Sequence, residues 1–162
     1  ALDGELFSLL EGTDAFLREE EIVSRCVALK GGIVAEDEFD TGRRILLNLG
    51  HTVGHAIELL SDFGVPHGCA VSIGLCRMCR SAEGFGLCEK GTAERVEALC
   101  RRFGLPTETE YSTDELFSAA AADKKRSAEH ITLAIPKGIG SAVLQDIPFA
   151  ELRLWIERGQ KR

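Results

Sequence analysis

The sequence is short of positive charge. Its 19 lysines and arginines are outnumbered by 26 aspartates and glutamates, giving a formal net charge of −7 over 162 residues. That balance argues against a general nucleic-acid binder, whose footprint is basic. No apolar run approaches the ~18–20 residues needed to span a bilayer, and no secretory signal pattern stands at the start. A glycine-rich nucleotide loop is also missing. Gly138-Ile139-Gly140 is too short, and it follows a strand-like run without opening a helix. An HExxH protease is excluded, because no glutamate stands between His51 and His55. There is no repeat, low-complexity tract or linker, so residues 1–162 read as one domain. The chain opens on Ala1 rather than Met, inside a polar–apolar helical pattern, and reads as a piece of a longer protein.

What is present fits a globular chain with a real core: 44% hydrophobic and 28% charged residues. Six cysteines, Cys26, Cys69, Cys76, Cys79, Cys88 and Cys100, fall mostly inside helical patterns. Such a chain needs no disulfide staples, so reduced thiols in a cytoplasmic protein are expected. Cys76-Arg-Met-Cys79 lacks a second CxxC and reads as two small side chains packed on one helix face.

Periodicity predicts a mostly helical domain. A helix opens after Thr13 as its cap, with an apolar stripe of Phe16, Ile22, Val23, Cys26, Val27 and Ile33. Gly31-Gly32 weakens it without ending it. A second helix runs from Thr41-Gly42 to about Leu60. "SDFGVPHG" is a loop, and a buried helix follows it to Gly84 or Gly86. "TAERVEALCRRFG" is amphipathic, and "STDELFSAAAADKKRS" is a short helix capped by Ser112 or Thr113. "HITLAIP" and "SAVLQDI" are two short strands around a turn, and a helix from Pro148 closes the chain.

The segment "RRILLNLGHTVGHAIELL" carries the chemistry. On a continuous helix, Arg44, Asn48, His51 and His55 fall on one face at steps of 4, 3 and 4. The rest of that helix is apolar and should be buried. A polar stripe on a buried helix must find partners or line a cavity. Gly50 and Gly54 cost about 1 kcal/mol each relative to Ala, and they let a backbone or ligand approach closely. His67, twelve residues after His55, can return beside the stripe, and histidines from two elements suit zinc or iron. His130, in a strand-like run, reads as structural.

"RRILLNLGHTVGHAIE", followed by "HG" with "AVSIG" and later by "DKK", resembles the C-terminal domain of the 3-dehydroquinate synthase family. The resemblance extends from "LKGGIVAEDEFDTG" to "PKGIG" and implies the multi-helical domain of that fold, with a short β-hairpin near its C-terminus. It implies zinc, or cobalt, on His51 and His67, with a third ligand, a glutamate, in a segment preceding this chain. It implies substrate contacts from Asn48 and His55, a carboxylate held by Lys30 and Arg44, and a phosphate held by Lys124, or failing that Lys125. NAD is bound mainly by an N-terminal α/β domain absent from this chain, so the chain alone is expected to be inactive. Where the family usually has Glu after "HG", this chain has Cys69, a position that is not a metal ligand in the family.

The implied enzyme is a cytoplasmic phosphorus–oxygen lyase of the shikimate pathway, on the route to chorismate and the aromatic amino acids. It converts 3-deoxy-D-arabino-heptulosonate 7-phosphate to 3-dehydroquinate and phosphate. Its partners are that sugar acid phosphate and, in the complete enzyme, a second subunit in a homodimer, with no nucleic acid and no membrane. The alternatives are a sugar phosphate cyclase acting on a substrate such as sedoheptulose 7-phosphate, a metal-dependent alcohol dehydrogenase, and a non-enzymatic helical binding module.

Overall fold

The computed structural model describes residues 2–39, 42–123 and 129–161. Its first helix, α1 (Gly4–Glu11), is capped by Asp3, whose carboxylate accepts the Leu6 N–H at 2.9 Å. The expected helix from Thr13 is broken in two. A 3-10 turn covers Ala15–Leu17, and α2 (Glu19–Glu36) begins after Arg18. Three glutamates fill its first turn and suit the positive end of the helix dipole. Gly31 and Gly32 stay inside α2, as propensity allows. The apolar stripe is real but mostly unburied: Ile33 is the only buried residue of α2, while Val23 and Val27 are 53% and 67% exposed.

The helix expected over residues 41–60 also divides. Arg43–Asn48 forms a 3-10 helix, and α3 (His51–Leu60) starts after Gly50. The break is steric. Gly50 takes a left-handed φ of 82°, and a Cβ there would lie 2.6 Å from the Leu75 nitrogen of the next helix. Only glycine meets both conditions. That next helix, α4 (His67–Gly84), is the buried one the sequence predicts, and it packs along α3.

The amphipathic α5 (Thr92–Arg102) follows. The next helix, α6 (Thr113–Asp123), has a capping box: the Ser112 N–H donates to Glu115 at 2.8 Å, and the Glu115 N–H donates back to the Ser112 hydroxyl. β1 (His130–Gly138) and β2 (Ser141–Pro148) pair antiparallel with Ile131 opposite Ile147 and Ile135 opposite Val143. They are longer than the two short strands expected. Pro148 ends β2 and leads through a 3-10 turn, Phe149–Glu151, into α7 (Leu152–Arg158).

The main core joins Val53 and Ile57 of α3, Ile73 and Met78 of α4, Leu116 of α6, the inner face of β1 and Trp155 of α7. A second cluster holds Phe7, Cys76, Cys79, Val96 and Cys100. The CxxC thus packs as apolar filling, and burial pushes the Cys79 thiol up to about 12. All six cysteines are free.

A polar cluster ties α4, α5 and the C-terminal segment together. Arg80 donates to Glu97 and, at 2.8 Å, to Glu108. Arg101 donates to the other Glu97 oxygen at 2.6 Å, and Lys161 lies 3.8 Å away. Burial alone would raise the Glu97 carboxyl, but the Arg80 hydrogen bond and the surrounding cations outweigh it and hold it low. A carboxyl with a lowered folded pKa adds stability above the unfolded value, near 4.3, and that stability is lost as pH falls through the folded value. Glu97→Gln should therefore destabilise the chain by about 3 kcal/mol at pH ~7, as measured by urea unfolding. The difference from the parent should shrink below pH ~4. An equal difference at both pH values would contradict this account.

Candidate metal and substrate site

The site is assembled at the N-termini of α3 and α4. His51 and His55 lie one turn apart on α3. The chain leaves α3 at Leu60 and reverses through Asp62 and Phe63, both left-handed at φ 49° and 58°. It then enters α4 at His67, directly after Pro66. Three imidazoles come together there. Ring centroids are 5.2 Å apart for His51 and His67, 5.4 Å for His51 and His55, and 5.9 Å for His55 and His67.

Each of the two histidines expected to bind metal has its Nδ1 engaged. His51 Nδ1 lies 3.3 Å from the Leu49 carbonyl. His67 Nδ1 lies 3.1 Å from both carboxylate oxygens of Glu58. A carbonyl or a carboxylate can only accept, so in both rings Nδ1 carries a proton, and the neutral form of each ring then offers its lone pair at Nε2. Burial pulls the half-buried His51 imidazole below its ordinary value. Neighbouring His55 and His67 add to the effect, against the Leu49 bond and the Glu58 charge. A neutral imidazole with its Nδ1 hydrogen-bonded is the form that ligates a divalent metal. His55, Glu58 and His67 also place ligand atoms within 4.8 Å of one another. The donors present therefore fit zinc or cobalt.

Beside the histidines runs a cleft of about 360 Å³. Asn48, His51, Thr52 and His55 line one side, and Ala120 of α6 with His130 and Thr132 of β1 line the other. Asn48 reaches this wall even though it stands on the 3-10 helix and not on α3. His130 corrects the sequence reading: it is exposed and shares the cleft wall. Alternation along β1 puts it on the same face as Thr132, opposite the buried Ile131 and Leu133.

Arg44 does not line the cleft. Its N–H donates to Asp37 at 3.0 Å, and its guanidinium donates to the Glu38 carbonyl at 2.9 Å. Lys30 is exposed on α2 and also stands outside the cleft lining. Lys124 and Lys125 lie outside the described residues. Cys69 is half-buried in the first turn of α4 and is not part of the ligand cluster. Glu58 escaped the sequence reading, although its spacing signals it: it lies seven residues after His51 and three after His55, on the same helix face.

Comparisons with known proteins show the family to which the chain is similar. The family described as "3-dehydroquinate synthase C-terminal" matches residues 1–126. The 3-dehydroquinate synthase of Streptococcus mutans is 38% identical over 159 residues, covering 97% of this chain and 43% of that protein. The same enzyme from Dehalococcoides mccartyi is 41% identical over 149 residues, covering 88% of this chain and 42% of that protein. The chain thus spans less than half the length of these relatives. Among solved structures, 2-epi-5-epi-valiolone synthase from Streptomyces hygroscopicus, with NAD+ and Zn2+ bound, superposes with a TM-score of 0.80 at 26% identity. It covers 98% of this chain and 48% of that one. A 2-deoxy-scyllo-inosose synthase shares the fold with a TM-score of 0.73 at 21% identity, covering 87% of this chain and 41% of that one. By the family match and by these relatives, this chain belongs to the 3-dehydroquinate synthase family and corresponds to its C-terminal part.

Proposed function

We propose that this chain is the metal- and substrate-binding part of a 3-dehydroquinate synthase, which converts 3-deoxy-D-arabino-heptulosonate 7-phosphate to 3-dehydroquinate and phosphate. The observation that carries the reading is the pair His51 and His67, which face each other across two helices with both Nδ1 protons committed. His51 and His67 would hold zinc or cobalt, which would supply a Lewis acid for the oxygen at the carbon being oxidised, and NAD, held mainly by a separate N-terminal domain, would supply the hydride chemistry. The rest is positioning by this chain. His51 and His67 present Nε2 to the metal. Asn48 and His55, on the cleft wall, hold ring hydroxyls and phosphate. Arg44 and Lys30 supply fixed positive charge for the carboxylate, and Lys124 supplies it for the phosphate. Holding a flexible dianion in one geometry removes entropy from the barrier. The six free thiols suit a cytoplasmic enzyme, and as in its family we place it in a homodimer.

A second reading, cyclisation of a sugar phosphate without a carboxylate, is favoured by one observation: the Arg44 guanidinium is turned to the Glu38 carbonyl and not to the cleft. Phosphate release separates the two. In the protein at its natural full length, with NAD and zinc, phosphate should be released from the heptulosonate phosphate and not from sedoheptulose 7-phosphate. Release only from the second would move the protein to the cyclase relatives. Release from neither would remove both readings.

A further inference from the structure

Glu58 has no role in the proposal above, yet it is the residue that meets His67. Its side chain is only 14% exposed, whereas the His67 side chain is 56% exposed. The acid is therefore the anchored partner and the imidazole the one that needs holding. Both Glu58 oxygens lie 3.1 Å from the same ring atom, Nδ1. The carboxylate thus addresses the proton-bearing edge of the ring. His67 is the first residue of α4, preceded by Pro66 and a loop, and it has no helical turn before it to restrain its rotamer. Glu58 sits in the last turn of α3, where its backbone carbonyl also accepts the Phe63 N–H at 2.8 Å. One residue thus grips both the loop and the ring.

We infer that Glu58 is the positioning residue for the metal site: it fixes His67 as the Nδ1–H tautomer and turns Nε2 toward the metal. The inference rests on the reading of His51 and His67 as metal ligands. A carboxylate behind a ligating imidazole orients the ring and raises its basicity, and its loss typically costs about 10–100-fold in metal affinity. Nothing in this role requires Glu58 to touch the metal, since taking it as a ligand would break its bond to Nδ1.

The test uses zinc chloride titrated calorimetrically into the protein and into its Glu58→Gln, Glu58→Ala, His51→Ala and His67→Ala variants. Long-range proton–nitrogen NMR of the metal-free protein reports the His67 tautomer. Thermal unfolding checks that each variant folds. In the parent, His67 should be protonated at Nδ1. In Glu58→Gln and Glu58→Ala the Nε2–H form should appear, and zinc affinity should fall by about 10–100-fold. A merely structural role for Glu58 would leave the tautomer unchanged. An unchanged tautomer with unchanged affinity would overturn the inference while the His67→Ala loss upheld the metal reading. Glu58→Gln losing as much affinity as His67→Ala would overturn it in favour of direct ligation. Affinity unchanged in both histidine variants would remove the metal reading itself.

Discussion

Replacing Gly74 by alanine should destabilise the chain by about 4 kcal/mol or more. A Cβ at Gly74 would fall onto the Gly50 carbonyl oxygen and lie 3.0 Å from the Gly54 nitrogen. From the other side, a Cβ on Gly50 would lie 2.6 Å from the Leu75 nitrogen, and one on Gly54 would lie 3.2 Å from the Val71 backbone. Gly50 just before α3, Gly54 on it and Gly74 on α4 thus let the two helices meet backbone to backbone. Neighbouring backbones cannot swing aside as a flexible side chain can, so the helices must separate. Separation would pull His51, directly after Gly50, away from His67 on α4. A control stands on α2. Gly31 and Gly32 have nothing within 4 Å of a built Cβ, and both lie inside the helix. Alanine at either should stabilise by about 0.5–1 kcal/mol through helix propensity. Urea unfolding of the three variants measures both signs. A Gly74→Ala midpoint equal to that of the parent would contradict the close helix contact.

His51→Ala and His67→Ala should each lower zinc-dependent turnover by more than 100-fold in the full-length protein. Losing a residue that only orients a ligand typically costs about 10–100-fold, and losing the ligand removes the donor itself. The two should not add when combined, because either loss already disables the site. His55→Ala should behave differently. It removes a cleft-wall imidazole but no metal donor of the proposed pair. It should lower kcat/KM while zinc still binds with parental affinity. Steady-state phosphate release together with zinc titration checks this division. A His55→Ala variant that loses zinc as His67→Ala does would reassign the ligands.

Much of this was legible in the chain. The helices α4 to α7, the hairpin and the buried CxxC follow from periodicity, caps and turn residues. Three features did not, and each has a physical reason. The histidine helix breaks at Gly50 because α4 presses on it, a tertiary contact that no local pattern carries. Arg44 and Asn48 both lie on the 3-10 helix before the break, where three residues per turn take Arg44 off the line of Asn48, His51 and His55, although the spacing of 4, 3 and 4 places all four together on an ideal helix. The stripe on α2 is apolar, yet only Ile33 of it is buried. Amphipathicity marks a face that needs a partner but does not say which chain supplies one. Glu58 was within reach of the helical arithmetic that linked His51 to His55, had the line been carried one turn further. His130 was not, because its position on the cleft follows only from the pairing of β1.

His51 and His67 should share one metal ion across α3 and α4. The most direct measurement is X-ray diffraction from zinc-soaked crystals, with anomalous data at the zinc edge. A peak bonded to His51 Nε2 and His67 Nε2 at about 2.0–2.1 Å is expected, with Glu58 still on His67 Nδ1. A peak enclosed by His55, Glu58 and His67, with His51 bound only to the Leu49 carbonyl, would contradict it.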